Sequence, residues 1–156
     1  DGNSEFSISG YSNYSQEQSI NWIQKEILRF EKFGLGKFAI VLKESAKLIG
    51  ISGLFQQPGS DGSEIELNYR YPYIYRGYGY ATEAAHAILV YGFKVLKLKQ
   101  INANVDIRNT PSLHVLERLG MKRVGEVIYE GVFGERWTLS NPYLLFKFYI
   151  KKELVD

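Results

Sequence analysis

Arg76-Gly77-Tyr78-Gly79-Tyr80-Ala81 is the stretch whose residue types and spacing point most directly to chemistry. It separates a strand-like run, Ser63 to Tyr71, from a helix-like run, Thr82 to Leu96. A glycine-rich turn that opens a helix presents unpaired backbone N–H groups at the positive end of the helix dipole, so it can hold a phosphate with no side chain involved. Gly77 and Gly79 carry no Cβ, which lets the chain turn tightly and an anion approach closely. Ala81 keeps the first helical turn slim. No Gly-Lys-Ser/Thr follows, so this is not a nucleotide P-loop. Thr82 stands where the dinucleotide fingerprint needs its third glycine. A helix-start turn without a ligand accounts for the same six residues, and their spacing alone leaves both readings open.

Composition narrows the field. A chain of 156 residues suits one domain, 1–156, and is long enough to bury a core. Hydrophobic residues make up 45% and charged residues 23%, the balance of a globular chain and not of a disordered one. The net charge of +2, with no basic block, gives no support to a nucleic-acid partner. The 12 tyrosines invite a base-stacking role, but several alternate within strands, where core and cleft lining is the simpler account. With no cysteine, a disulfide framework, a thiolate nucleophile and a Cys-ligated zinc are all excluded. That composition is compatible with the cytoplasm, and no metal site is expected. No apolar run reaches the ~18 residues of a membrane span, so no membrane partner is expected. His86 and His114 are too far apart to form a motif and read as surface or core packing. The chain begins at Asp1 and not at a methionine, so we expect its true N-terminus to be missing or processed.

The elements that must position the glycine loop follow from local signals. Residues 1–14 are polar and turn-like. Ser15-Gln16-Glu17-Gln18 reads as a capping box. Ile20, Ile23, Ile27 and Phe30 then fall at helical spacing, so the pattern predicts a helix from Gln16 to Phe33, stopped by Gly34 and Gly36. Lys37 to Leu42 and Lys47 to Gln56 read as a hairpin around Lys43-Glu44-Ser45-Ala46. Pro58 to Gly62 is a loop by composition. In Ser63 to Tyr71, Ile65, Leu67, Tyr69 and Tyr71 share one face, with Glu64, Glu66, Asn68 and Arg70 on the other. Pro72 marks a bulge or the end of pairing. After the glycine loop, small and apolar residues from Ala81 to Leu96 predict a helix packed closely on a sheet. Gln100 to Asp106 reads as a strand. Asn109-Thr110-Pro111-Ser112 opens a helix that ends at Gly120. Met121 to Tyr129 and Pro142 to Ile150 are the expected last strands, with Glu130 to Asn141 as the loop between them. The fold class is α/β, a mixed sandwich in one domain.

Three stretches, in order, carry a resemblance: Ile65-Glu66-Leu67-Asn68-Tyr69; Arg76 to Ala81 followed by Thr82-Glu83-Ala84; and Asn109-Thr110-Pro111-Ser112 running on to Leu116-Glu117-Arg118-Leu119-Gly120-Met121. The middle stretch fits Arg/Gln-x-x-Gly-x-Gly/Ala. Together they resemble the GNAT acetyltransferases, in the branch that includes the ribosomal-protein alanine N-acetyltransferases, over residues 15–150. The resemblance implies a mixed, mostly antiparallel central sheet with helices on both faces, the acyl-CoA N-acyltransferase fold. That fold usually begins with a strand and a helix ahead of the first helix expected here, and we expect both to be absent from this chain.

The resemblance also implies a reaction. Acetyl-CoA would be the donor, and the acceptor a primary amine on a protein N-terminus, a polyamine or a small molecule, attacking directly. The N–H groups of Tyr78, Gly79, Tyr80 and Ala81 would hold the pyrophosphate, with Gly77 shaping the turn and Arg76 adding charge. A strand splay would fall near Leu67 to Tyr71, placing Tyr69 and Tyr71 beside the cofactor and one N–H on the thioester carbonyl. Glu66 would act as general base, with Glu64 as the alternate, or else orient the acceptor. Asn68 stands where the family usually has glycine. Asn109 would contact the pantetheine arm or serve as a cap. Ser112 would protonate the leaving thiolate or cap its helix, because Leu116 occupies the place of a tyrosine used for that step in some members. A non-catalytic acyl-CoA-binding module is the alternative. A monomer or homodimer is expected.

Overall fold

The computed structural model describes residues 15–57, 60–129 and 131–143. The elements run α1 (Gln16–Phe33), β1 (Gly36–Val41), β2 (Leu48–Gln56), β3 (Ile65–Arg70), α2 (Tyr80–Lys94), β4 (Gln100–Asp106), α3 (Thr110–Arg118), β5 (Lys122–Tyr129) and β6 (Val132–Ser140). A short 3-10 turn, Tyr73–Tyr75, follows Pro72 and ends the pairing of β3.

Local chemistry sets the start and stop of these elements. The Ser15 hydroxyl accepts from the Gln18 N–H at 3.2 Å, and the Gln18 side chain accepts from the Ser15 N–H at 2.8 Å, so the capping box closes at both bonds. Gly34, in the left-handed region at φ 68°, ends α1. β1 and β2 pair antiparallel as the expected hairpin, and the Leu42 N–H donates to the Lys47 carbonyl at 2.9 Å to close its turn.

The six strands form one sheet in the order β1-β2-β3-β4-β6-β5. All neighbours pair antiparallel except β3 and β4, which run parallel. Helices α2 and α3 cover one face. The core there joins Leu54, Ile65, Leu67, Ile101, Ala103, Val105 and Trp137 of the strands to Ala85, Ile88, Leu89 and Phe93 of α2 and Leu116 of α3. α1 lies along the edge strand β1. Its buried Glu26 accepts from the Lys37 N–H at 3.2 Å, and Phe30 meets Phe38 edge-on at 5.3 Å. Trp22 reaches round to the Lys37 ammonium, whose side chain lies on the face away from Phe38. The apolar stripe Ile20, Ile23 and Ile27 is exposed among the described residues.

One element differs from the sequence reading. The stretch Glu130 to Asn141, expected as a loop, contains the strand β6. β6 pairs with β4 on one side and β5 on the other, so it is interior to the sheet. Its Glu135 and Arg136 look like loop residues in isolation. In the fold they have partners: Arg136 donates through Nε to Asn104 at 3.2 Å, and Arg123 donates to Glu135 at 2.6 Å. Of the strand expected over Pro142 to Ile150, Pro142 and Tyr143 have helical backbone and the remainder lies outside the described residues.

Candidate functional site

The site begins where two strands part. β3 and β4 share a single register pair, Glu66↔Asn102. β3 stays paired with β2 as far as Ile51↔Arg70, and β4 with β6 as far as Asp106↔Gly134. Leu67 to Arg70 and Ala103 to Asp106 therefore diverge from each other while each is held by its outer neighbour. Successive residues of a strand point their N–H groups to opposite sides. Alternate N–H groups of β3 beyond Glu66 thus point toward the gap.

Two helix starts flank this gap. Gly77 and Gly79 both adopt φ +85°, and a Cβ at either would meet open space. Backbone conformation, and not crowding, is what demands glycine there: a side chain in that region costs roughly 1–2 kcal/mol. Gly79 is the N-cap of α2, and no side chain caps the helix. At the other start Asn109 caps α3, its side-chain oxygen accepting from the Ser112 N–H at 3.3 Å, with Pro111 in the first turn. The capping role is therefore taken by Asn109, not by the Ser112 hydroxyl. The Asn109 cap uses the amide oxygen and leaves the amide nitrogen as a donor. Asn109→Ala is expected to lower stability by about 1 kcal/mol, seen as a reduced urea midpoint at unchanged slope.

Between these starts lies a cavity of about 440 Å³, within the size range of small-molecule sites. It brings together Tyr69, Tyr71, Arg76, Gly77, Gly79, Tyr80, Ala81, Asn109 and Ser112. Tyr78 is not among its lining residues; it is 70% exposed and stacks on Tyr80 at 5.7 Å. Glu66 is not among them either. It is 2% exposed and sits on the opposite sheet face, where its carboxylate accepts from Asn104 Nδ2 at 2.9 Å. Glu64 is on that face too, in an ion pair with Arg136 at 3.3 Å.

Arg70, Thr82, His114 and Arg118 also line the cavity, and sequence reasoning missed them as site residues. His114 and Arg118, four residues apart on α3, share one helix face, and that spacing was the available signal. Arg76 and Arg118 belong to the lining, and among the described residues no carboxylate does, so the field inside favours an anion. Arg76 is steered into place: its Nε donates to the Tyr71 carbonyl at 3.0 Å and its guanidinium lies 5.9 Å from the centre of the Tyr73 ring.

Tyr69 of β3 and Tyr71, which follows that strand, reach into the flanking helices. The Tyr69 hydroxyl donates to the Ser112 carbonyl and the Tyr71 hydroxyl to the Tyr80 carbonyl, each at 3.3 Å. Burial pushes the Tyr69 phenol up to about 12, a hydrogen bond with Ser112 working against it and the neighbouring Tyr71 adding a smaller push. Burial, aided by the Glu83 carboxylate, pushes Tyr71 up to about 12 as well. Both hydroxyls are therefore neutral donors across the neutral range. Among the described residues, no three His, Cys, Asp or Glu side chains are grouped to hold a metal ion, and no helix is long and apolar enough to cross a membrane.

The family model described as "Acetyltransferase (GNAT) domain" matches residues 3–122. The chain is 38% identical over 89 residues to the uncharacterized N-acetyltransferase YnaD of Bacillus subtilis, an alignment spanning 57% of this chain and 51% of that protein. It is 30% identical over 138 residues to the probable N-acetyltransferase YjcK of the same organism, spanning 85% of this chain and 75% of that one. It thus spans about half the length of YnaD, and more of YjcK. In fold it is similar to the spermidine N-acetyltransferase from Vibrio cholerae solved in complex with CoA and spermine, with a TM-score of 0.69 at 18% identity, covering 85% of this chain and 79% of the other.

Proposed function

This chain belongs to the GNAT acetyltransferase family, and from that premise we propose that it transfers an acetyl group from acetyl-CoA to a primary amine by direct attack. The observation that carries the proposal is the arginine-lined cavity, which runs from the Gly77–Gly79 turn to the residues where β3 leaves β4. Its residues suit an acyl-CoA. The first-turn N–H groups of α2 face a pyrophosphate with the helix dipole behind them. Arg76 and Arg118 add positive charge. The Asn109 amide nitrogen is a donor for the amide-rich pantetheine arm. Acetyl-CoA supplies a thioester, an acyl group activated toward an amine.

The remaining steps belong to the chain's own groups. An N–H of β3 facing the gap donates to the developing oxyanion. Glu66 takes the proton that the amine loses as its nitrogen bonds to the acyl carbon. Because Glu66 lies across the sheet from the cavity, that proton passes through water. As the carbon–sulfur bond breaks, the Ser112 hydroxyl donates a proton to the sulfur. Ser112→Ala is expected to lower kcat about tenfold or more, with acetyl-CoA affinity and stability close to the parent, since Asn109 and not Ser112 caps α3. Unchanged kcat would remove Ser112 from the reaction.

The acceptor is a protein N-terminus, a polyamine or a small-molecule amine. The spermine-bound structural neighbour puts polyamines in the test panel. Incubating the protein with acetyl-CoA and each amine class, and measuring free thiol release with product mass, tests the reading. Acetyl-CoA binding without thiol release for any amine would favour the second reading, an acyl-CoA-binding module. One observation supports that reading: the Glu66 carboxylate is buried and engaged with Asn104.

A further inference from the structure

We infer that the Tyr69 and Tyr71 hydroxyls are positioning groups that set the width of the cleft between α2 and α3, by tying the first turn of each helix to the end of β3 and the residue that follows it. The inference rests on the acyl-CoA reading above, and it assigns these side chains a task apart from touching the ligand.

The geometry is two-sided. Tyr71 donates its hydroxyl to the carbonyl of Tyr80, the first residue of α2, and Tyr69 donates to the carbonyl of Ser112, in the first turn of α3. Each of these carbonyls serves an intrahelical bond with one lone pair and has a second to offer, so the struts add to the helices without competing with them. Tyr69 lies on β3 beyond Glu66, where the strand has left β4, and Tyr71 directly follows the last residue of β3. The walls of the cleft and the strand at its base are thereby linked through two side chains on one strand face.

Tyr71 carries a further link. Its carbonyl accepts from Arg76 Nε at 3.0 Å, so one residue braces both ends of the Arg76–Tyr80 turn. The ring is 5% exposed and lies so close over β2 that a Cβ on Gly50 would come within 2.5 Å of it. The glycine at position 50 makes room for this ring. Burial keeps both phenols protonated well above neutral pH, so neither strut is lost by titration where an acetyltransferase works.

Phenylalanine keeps the ring and removes only the strut, so Tyr71→Phe and Tyr69→Phe isolate the effect. CoA itself is the binding probe. For Tyr71→Phe the expected result is an approximately fivefold weaker CoA dissociation constant, the loss of one ordinary hydrogen bond. The acetyl-CoA KM should rise equally, with kcat at saturation within twofold of the parent. In the ligand-free protein, amide hydrogen exchange should accelerate over residues 77–82 and stay unchanged over 110–116. Tyr69→Phe should show the reverse, with faster exchange over 110–116 alone. Parent-like CoA affinity and exchange in both variants would overturn the strut role while leaving the acyl-CoA reading intact. Faster exchange in both regions for both variants would also overturn it, because that is general loosening of the core. A parent protein that does not bind CoA would overturn the underlying reading and the assignment with it.

Discussion

Gly79→Pro is expected to abolish the stabilisation that acetyl-CoA gives the parent protein. At a hundredfold excess over the dissociation constant, a ligand bound only to the native state adds about 2.7 kcal/mol, which for a domain of this size is a rise of roughly 5–10 °C in Tm. Gly79 caps α2 with φ +85°, whereas proline is confined near −65°. The substitution also removes an N–H from the turn. Its local cost should be tolerated, since the residue is exposed and nothing lies within 4 Å of the added Cβ. The variant should therefore fold and melt cooperatively, with a Tm that no longer responds to acetyl-CoA. A full ligand-induced shift in Gly79→Pro would exclude this turn as the phosphate site.

Glu66→Gln should lower kcat/KM at neutral pH by about 10²-fold or more, the usual contribution of a general base, and the loss should shrink as pH rises. The reason is the acceptor. An alkylamine titrates near 10.4 and is mostly protonated at neutrality, so the base is needed most there and least where solution already deprotonates the amine. The structure frames an opposing outcome. Glu66 accepts from Asn104, whose oxygen accepts from Nε of Arg136, and Nη2 of the same arginine pairs with Glu64. If the carboxylate only orients that chain, Glu66→Gln should shift the acceptor KM, with a pH–rate profile parallel to the parent. That result would end the case for Glu66 as base. Glu64→Gln, measured the same way, would then test the alternate.

Much of the architecture was legible because its causes are local. The Ser15–Gln18 capping box, the left-handed Gly34, the Asn109-Thr110-Pro111 start of α3 and the paired glycines 77 and 79 act within about four residues of themselves, and each lies where its spacing put it. The alternation of β3 likewise assigned Ile65, Leu67 and Tyr69 to the helix-covered face and Glu64 and Glu66 to the other. The site depended on contacts that no local pattern carries. β6 read as a loop because Glu135 and Arg136 find partners only after β4 and β5 have closed around them. His114 and Arg118 became cavity residues because α3 packs beside β3, a docking marked by the Tyr69–Ser112 bond across 43 positions. Asn104, the partner that Glu66 meets on the other face, likewise comes from 38 positions away. The sequence by itself determined which segments become helices and strands and where a phosphate could meet a helix start. Only the tertiary structure decided which side chains share one cavity, because burial and charge pairing are settled between strands that meet from distant parts of the chain.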